Sequence, residues 1–315
     1  MSAPANEHPA LRHDGIFYDD DALLASAAVS FVREGVTRGE TVMVNTGANP
    51  VTALLRAVFG DDEQVVFAER SVYETPVSAL EAYRRTMDQG LATGAVGYRA
   101  IGFIDFDNSR LPWQEWLRYE AAVNRVFEDY PFQTLCPYDV TRVDPRIIDA
   151  VRRAHTGLVD ADGWRTNDEY VDPADLVRAE ELVTPRHPLQ DTTPRMVIEP
   201  GPDLVDLRME LYSATMFTDL PRRRVDDFVA AASELVTNAH KHGAPPVSMR
   251  LWAAGEGVLC TVTDQGPGIE DSLAGYARAA DPGHGLGLWA VRQLCDVVDF
   301  THDERGFTVR AASFL

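Results

Sequence analysis

The chain has 315 residues, enough for about two domains of ordinary size. Apolar residues make up 45% and charged residues 25%, a balance that fills a sizeable core and excludes a largely disordered chain. Forty-nine acidic against 29 basic residues leave a formal charge of −20, which argues against nucleic acid or an anionic membrane as a direct partner. A local basic pocket for one small polyphosphate is still allowed.

The first residues lack the basic-then-apolar order of a secretory signal. The apolar stretch at 22–32 is shorter than the about 20 residues that span a bilayer. The three cysteines, Cys136, Cys260 and Cys295, are odd in number and form no Cys-x-x-Cys pair. Neither a disulfide framework nor a zinc site is expected, and the reading is a cytoplasmic protein.

In chain order, short apolar runs at 41–45, 64–68, 96–104 and 133–136 read as buried strands, alternating with helical patterns at 20–33, 50–59, 76–91 and 113–130. Thr75-Pro76 is a helix start: a capping hydroxyl, then proline in the first turn. This alternation predicts an α/β domain with a mainly parallel sheet over 9–159. Residues 160–195 are poor in apolar groups, with several prolines at 184–195, and read as a linker carrying one short helix at 173–182. The remainder, 196–315, predicts helices at 208–217, 224–242 and 286–295 and strands at 247–252, 258–264, 297–302 and 306–312. Helices grouped beside a mainly antiparallel sheet make this part α+β.

Three motifs carry the chemistry. The 224–242 pattern buries Val225, Phe228, Val229, Ala232, Leu235, Val236 and Ala239 on one face, and Glu234, Asn238 and His242 lie four apart on another line. Alone, Glu-x-x-x-Asn is weak, because solvated helices carry such pairs constantly. Asp264-Gln-Gly266-Pro-Gly268 then follows directly on a strand, where a carboxylate can accept a proton from an amine while the backbone turns. Gly283-His-Gly285-Leu286-Gly287 opens a helix, where backbone N–H groups can approach an anion.

Three boxes in this order resemble the N, G1 and G2 boxes of the GHKL ATPases, which include histidine kinases, gyrase-type ATPases and anti-sigma serine kinases. The resemblance covers 196–315 and implies a GHKL (Bergerat) fold, with helices on one face of a mixed, mainly antiparallel sheet. It implies ATP and Mg²⁺ as cofactors. By this resemblance Asn238 would coordinate Mg²⁺ and Asp264 would bond the adenine amine. Gly266 and Gly268 would shape the adenine pocket. Gly283, Gly285, Leu286 and Gly287 would cradle the phosphates, and Lys241 would add a phosphate contact. Thr308 sits where the family often has a pocket-lining threonine. Glu234 would be the general base, acting on a water or an acceptor hydroxyl. The chain has no GxxxxGK[ST] loop.

Only fourteen residues, 269–282, separate the glycine boxes. That short lid resembles the anti-sigma kinases; Arg278 within it could reach a phosphate. A classical histidine kinase needs a phosphoacceptor histidine on a helical hairpin, and none of His8, His13, His155, His187, His240, His242, His284 or His302 sits in that setting. One departure is that the arginine common in the first helix of anti-sigma kinases is not evident, with Glu210-Leu-Tyr212 in its region.

In the first part, Tyr83-Arg-Arg, Val96-Gly-Tyr-Arg-Ala-Ile101, Trp113-Gln-Glu-Trp116, Tyr119-Glu-Ala-Ala-Val-Asn124 and Cys136-Pro-Tyr-Asp139 together resemble the MEDS sensory domain. That family implies a RecA-like α/β core without nucleotide chemistry. The loop after Asn45, Thr46-Gly-Ala-Asn, agrees, as it has no phosphate-binding lysine. Asp105 ends an apolar strand as a Walker B acid does but has no partner loop. Trp113, Trp116 and Tyr119 read as a packed helix face, and Cys136 as a core thiol.

The resemblances together imply a regulator whose kinase domain phosphorylates a STAS-type anti-anti-sigma protein on serine or threonine, with a sigma factor as competing partner. A homodimer stays open as the assembly state. So do a switch that holds ATP but transfers nothing, sequestering a sigma or anti-anti-sigma factor instead, and a histidine-kinase-like signalling protein.

Overall fold

The computed structural model describes residues 11–45, 49–68, 72–106, 108–178, 184–201, 203–255, 257–277 and 286–315. The chain divides into two compact units, Met1–Leu182 and Val183–Leu315.

The first unit contains β1 (Arg12–Tyr18), α1 (Asp21–Arg38), β2 (Thr41–Asn45), α2 (Pro50–Phe59), β3 (Val65–Phe67), α3 (Pro76–Ala92) and β4 (Tyr98–Gly102). It continues with α4 (Trp113–Val126), β5 (Phe132–Asp139), α5 (Pro145–Arg152), β6 (Gly157–Asp160), β7 (Gly163–Thr166) and α6 (Pro173–Arg178). The strand order is β3-β2-β4-β5-β1-β6-β7, and only β7 runs antiparallel to its neighbour. Helix α1 starts where Asp20 accepts from Ala22 N and stops at Gly39, whose φ of 74° suits a residue without Cβ. Helix α3 starts with a reciprocal Thr75–Ser78 capping box and Pro76 in its first turn.

Strand residues alternate between the two faces of the sheet. Ile16, Val42, Val44, Ile101 and Leu135 pack against Leu24, Phe31 and Val32 of α1 and Leu55 of α2. His13, Thr134, Cys136 and Tyr138 belong to the alternate set, on the side of α4. Strand β1 lies between β5 and β6 and is absent from the sequence reading. Its opening Arg-His-Asp-Gly has no apolar run, yet His13 and Asp14 are both fully buried. Asp14 is held by the indole N–H of Trp164 at 2.8 Å and by Arg12 Nε at 2.6 Å. Paired polar groups can occupy a core that an apolar pattern would not reveal.

The second unit contains β8 (Met196–Ile198), α7 (Leu204–Thr215), α8 (Arg222–His242), β9 (Ser248–Ala254), β10 (Gly257–Asp264), α9 (Leu286–Leu294), β11 (Val297–Asp303) and β12 (Gly306–Phe314). The sheet order is β11-β12-β10-β9-β8, and every one of these ladders is antiparallel. Met249, Leu251, Val258, Cys260, Val262, Val298 and Ala311 form one core with Leu211 of α7, Phe228 and Val236 of α8, and Val291 of α9.

The stretch expected as a linker, 160–195, is divided between the units. Its start completes the β6–β7 hairpin and leads to α6. From Thr184 onward it is a strap across the sheet face opposite the helices. Arg310 of β12 donates to the carbonyls of Thr184 (3.1 Å) and Pro185 (3.0 Å) and to Gln190 Oε1 (2.9 Å), and pairs with Asp299 at 2.5 Å. The His187 ring stacks on Phe314, and Trp252 Nε1 donates to Thr192 O. A polar, proline-rich segment is ordered here because a buried arginine satisfies its carbonyls.

Candidate ATP site

Helix α8 buries Phe228, Val229, Ala232, Leu235 and Val236, which leaves the Glu234–Asn238 line at the edge of the core. That line forms part of the wall of a cavity of about 530 Å³. This volume suits a small-molecule site. Lys241 and His242 lie further along the same helix wall, and Leu235, Val262, Ile269, Leu288, Phe307 and Val309 make it largely apolar.

Asp264 stands at the end of β10 and is only 5% exposed. Its Oδ1 accepts from Gly266 N at 2.6 Å and from Ala244 N at 3.3 Å, so backbone amides fix the carboxylate. Three glycines make this arrangement possible. A Cβ at Gly243, the residue that ends α8, would lie 2.3 Å from Asp264 Cγ, and one at Gly266 would lie 2.7 Å from Gly243 Cα. Gly268 has a φ of 82° and would place a Cβ 2.7 Å from the Phe307 ring. Gln265 Nε2 donates to Arg305 O at 2.6 Å, which ties this turn to the β11–β12 connection.

At the other end of the cavity, Gly287 in the first turn of α9 lies against α8. A Cβ there would be 2.2 Å from Glu234 Oε1 and 3.2 Å from Asn238 Nδ2. The first turn of α9 therefore packs against the carboxylate and the amide together. Gly243 comes nine positions after Glu234, a span of about 13 Å along the helix at 1.5 Å per residue. The cavity wall thus includes a backbone-held carboxylate, Asp264, at one place and Glu234, Asn238 and Gly287 at another.

Residues 12–156 match MEDS, the methanogen/methylotroph DcmR sensory domain, and residues 201–312 match the histidine kinase-like ATPase domain. The chain joins a MEDS domain to a histidine kinase-like ATPase domain. No curated protein matches the chain significantly. An ATPase domain of this family implies ATP as the ligand.

The ATPase domain brings Glu234, Asn238, Lys241, Asp264, Gly268 and Gly287 to one cavity, with Gly266 directly behind Asp264. Thr308 is a correction. Strand alternation turns Phe307 and Val309 toward the cavity and Thr308 to the opposite face, where its hydroxyl bonds Thr263 Oγ1 at 2.8 Å. Arg278, Gly283, His284 and Gly285 lie outside the described residues, as does the side chain of Leu286. The described start of the inter-box segment is pinned onto α9: Leu273 and Tyr276 are buried, and Arg292 donates to Ala274 O at 2.9 Å beneath the Tyr276 ring. Gly243 and Phe307 carry no motif in the sequence. Only the alternation of β12 could have flagged Phe307.

For a magnesium ion, the fit rests on the donor set of this wall, the Glu234 carboxylate and the Asn238 side-chain amide, which both line the cavity. One amide oxygen beside a phosphate site suits Mg²⁺, which keeps several waters and shares phosphate oxygens.

In the MEDS domain, Trp116 and Tyr119 are buried and pack edge-on against Tyr73, as the face of a helix does. Asp105 accepts from Asn108 in an open cavity that also involves Arg110 and Trp116. The loop residues Thr46, Gly47 and Ala48 lie outside the described residues. Burial raises all three thiols, Cys295 to about 12. Among the described residues, no helix is long and apolar enough to cross a membrane.

Proposed function

We propose that the C-terminal domain binds Mg-ATP and transfers the γ-phosphoryl group to a serine or threonine of a STAS-type anti-anti-sigma protein, with the MEDS domain as the controlling sensor. A sigma factor would compete for the same partner surface, which makes the output transcriptional. The observation that carries this reading is the contact of Gly287 with both Glu234 and Asn238 at one end of a cavity whose other end is Asp264.

In this reading Asp264 accepts from the adenine amine, while the amides of Gly266 and Ala244 hold its Oδ1. Asn238 holds the metal, Lys241 neutralises phosphate charge at the rim, and α9 offers backbone donors. The bound Mg²⁺ supplies charge neutralisation on the phosphates. Glu234 takes the proton of the acceptor hydroxyl as its oxygen bonds to the γ-phosphorus and ADP leaves.

The segment ahead of the domain supports a hydroxyl acceptor over a histidine. Its described residues form a strap across the sheet and not a two-helix hairpin. His155 is fully buried, and His187 is stacked on Phe314 while its Nδ1 accepts from Leu189 N. The RecA-like kinship of the first unit belongs to the same proposal, supported by its parallel order β3-β2-β4-β5-β1-β6.

The test uses γ-labelled ATP and Mg²⁺ with a purified STAS partner, comparing wild type with Glu234→Gln. Acid-stable label on the partner, lost in the variant, is expected. ATP binding without any transfer would replace the kinase with a sequestering switch, and acid-labile label would point to histidine.

A further inference from the structure

On the α4 side of the first sheet, four side chains from separate places in the sequence converge. His13 and Cys136 come from the neighbouring strands β1 and β5, where the register sets His13 opposite Thr134 and Gly15 opposite Cys136. Both therefore share one face. Glu120 points down from α4, and His155 follows α5. The two histidines are fully buried and Glu120 nearly so. The four potential ligand atoms all lie within 4.8 Å of one another. Gly15 leaves the space, since a Cβ there would sit 3.1 Å from His155 Cγ.

The hydrogen bonds behind the rings decide which nitrogens face inward. His155 Nδ1 lies 2.7 Å from the Val151 carbonyl, which can only accept, so Nδ1 carries the proton. Asn124 donates through Nδ2 to Ala154 O at 2.7 Å, which orients its Oδ1 to accept from His13 Nδ1 at 3.1 Å. In the neutral rings both Nε2 lone pairs are then free. They approach Glu120 Oε2 at 3.0 Å from His13 and 3.7 Å from His155. Tyr138 donates to the other carboxylate oxygen at 2.8 Å, and Cys136 Sγ lies 3.6 Å from His13 Nε2. Glu120 Oε2 has no partner besides the His13 ring at 3.0 Å, and His155 Nε2 makes no hydrogen bond, among the described residues. Lone pairs aimed at one another in a buried space repel unless a cation sits between them. A proton on His13 would relieve one contact and leave His155 Nε2 with nothing.

We infer that His13, Glu120, Cys136 and His155 bind one divalent transition-metal ion, Zn²⁺ by preference. Metal–ligand bonds of about 2.0–2.3 Å in a tetrahedron set ligand atoms about 3.3–3.8 Å apart; the His13–Glu120, His155–Glu120 and His13–Cys136 separations of 3.0, 3.7 and 3.6 Å lie near that range, and all four atoms fall within 4.8 Å, so the ligands close in by small side-chain shifts. Two imidazoles, a thiolate and a carboxylate select a borderline ion over Mg²⁺ or Ca²⁺. The Nδ1 donors and the Tyr138 hydroxyl are the outer contacts that orient such ligands. Binding exchanges the Cys136 thiol proton for the ion, the proton going to solvent. The ion ties β1, α4, β5 and the turn after α5 into one unit. This site is independent of the ATP reading and shares no residue with it.

The experiment takes the full-length protein, strips it with a chelator and titrates it with Co²⁺, then Zn²⁺. About one Co²⁺ per chain is expected, with intense visible bands of a four-coordinate ion and a thiolate-to-cobalt charge-transfer band, all lost when Zn²⁺ is added. Cys136→Ser should remove the charge-transfer band, and Tyr138→Phe should weaken binding about tenfold or more. Asn238→Ala should bind Co²⁺ as wild type does, which separates this site from the ATP pocket. The wild-type titration decides even if a variant fails to fold. No stoichiometric uptake by folded wild type, or uptake with no thiolate band, overturns the assignment.

Discussion

Gly287 and Glu234 stand so close that a methyl group on residue 287 would lie 2.2 Å from Glu234 Oε1. The glycine is thus a requirement of the carboxylate's position as well as of a phosphate loop. Gly287→Ala is expected to keep the fold, because alanine is favoured in a helix by up to about 1 kcal/mol and the clashing atom ends a side chain that can rotate. The rotated carboxylate should cost on the order of 100-fold in turnover, the scale expected when a reacting group moves by about 1 Å. Steady-state phosphoryl transfer beside a denaturant midpoint checks this. Full turnover with Glu234 displaced would remove it from the chemistry.

Asp264→Asn separates holding the turn from recognising the ligand. An asparagine Oδ1 can still accept from Gly266 N and Ala244 N, so the thermal midpoint should stay within a few degrees. What is lost is a charged acceptor for an amine. A hydrogen bond of that kind is worth about 1.5–3 kcal/mol, or roughly 10- to 150-fold in ATP affinity. Calorimetric titration with ATP and GTP is the check. A collapsed midpoint with unchanged preference for ATP would make Asp264 purely structural.

The parts of this molecule that were legible in sequence are those set by local periodicity. The Glu234–Asn238 line follows from helical spacing, and Asp264 from its place after a strand. Gly243 was not legible, because its need arises from a contact with Asp264, twenty-one residues away in the chain. Strand β1 was hidden by His13 and Asp14, polar groups buried with partners from distant elements. The 184–195 strap reads as a linker because its order depends on Arg310, and the His13–Glu120–Cys136–His155 cluster has no spacing signature at all.

The strap makes its own prediction. Arg310 is 8% exposed and compensates Asp299 while bonding three groups of the strap. Arg310→Met leaves a buried carboxylate uncompensated, which costs about 3–5 kcal/mol. The variant should unfold at lower denaturant, and the Asp299→Asn/Arg310→Met pair should recover part of the loss. The measurement is a double-mutant cycle on the full chain. A single variant within 1 kcal/mol of wild type, on the scale of exposed pairs, would show the strap to be dispensable.

Thr308 tests the orientation of the last strand against the family pattern. Its neighbours Phe307 and Val309 line the cavity, while its own hydroxyl meets Thr263 across the β10–β12 ladder. A cross-strand pair of this type contributes about 0.2–1 kcal/mol, and valine fits a strand as well as threonine does. Thr308→Val should therefore lower stability by no more than about 1 kcal/mol and leave ATP affinity within twofold. Phe307→Ala, on the cavity side, should weaken ATP binding on the order of tenfold or more, because it strips the wall that Gly268 packs against. If the two affinities change in the reverse order, the face assignment of β12 is wrong, and with it the exclusion of Thr308 from the pocket.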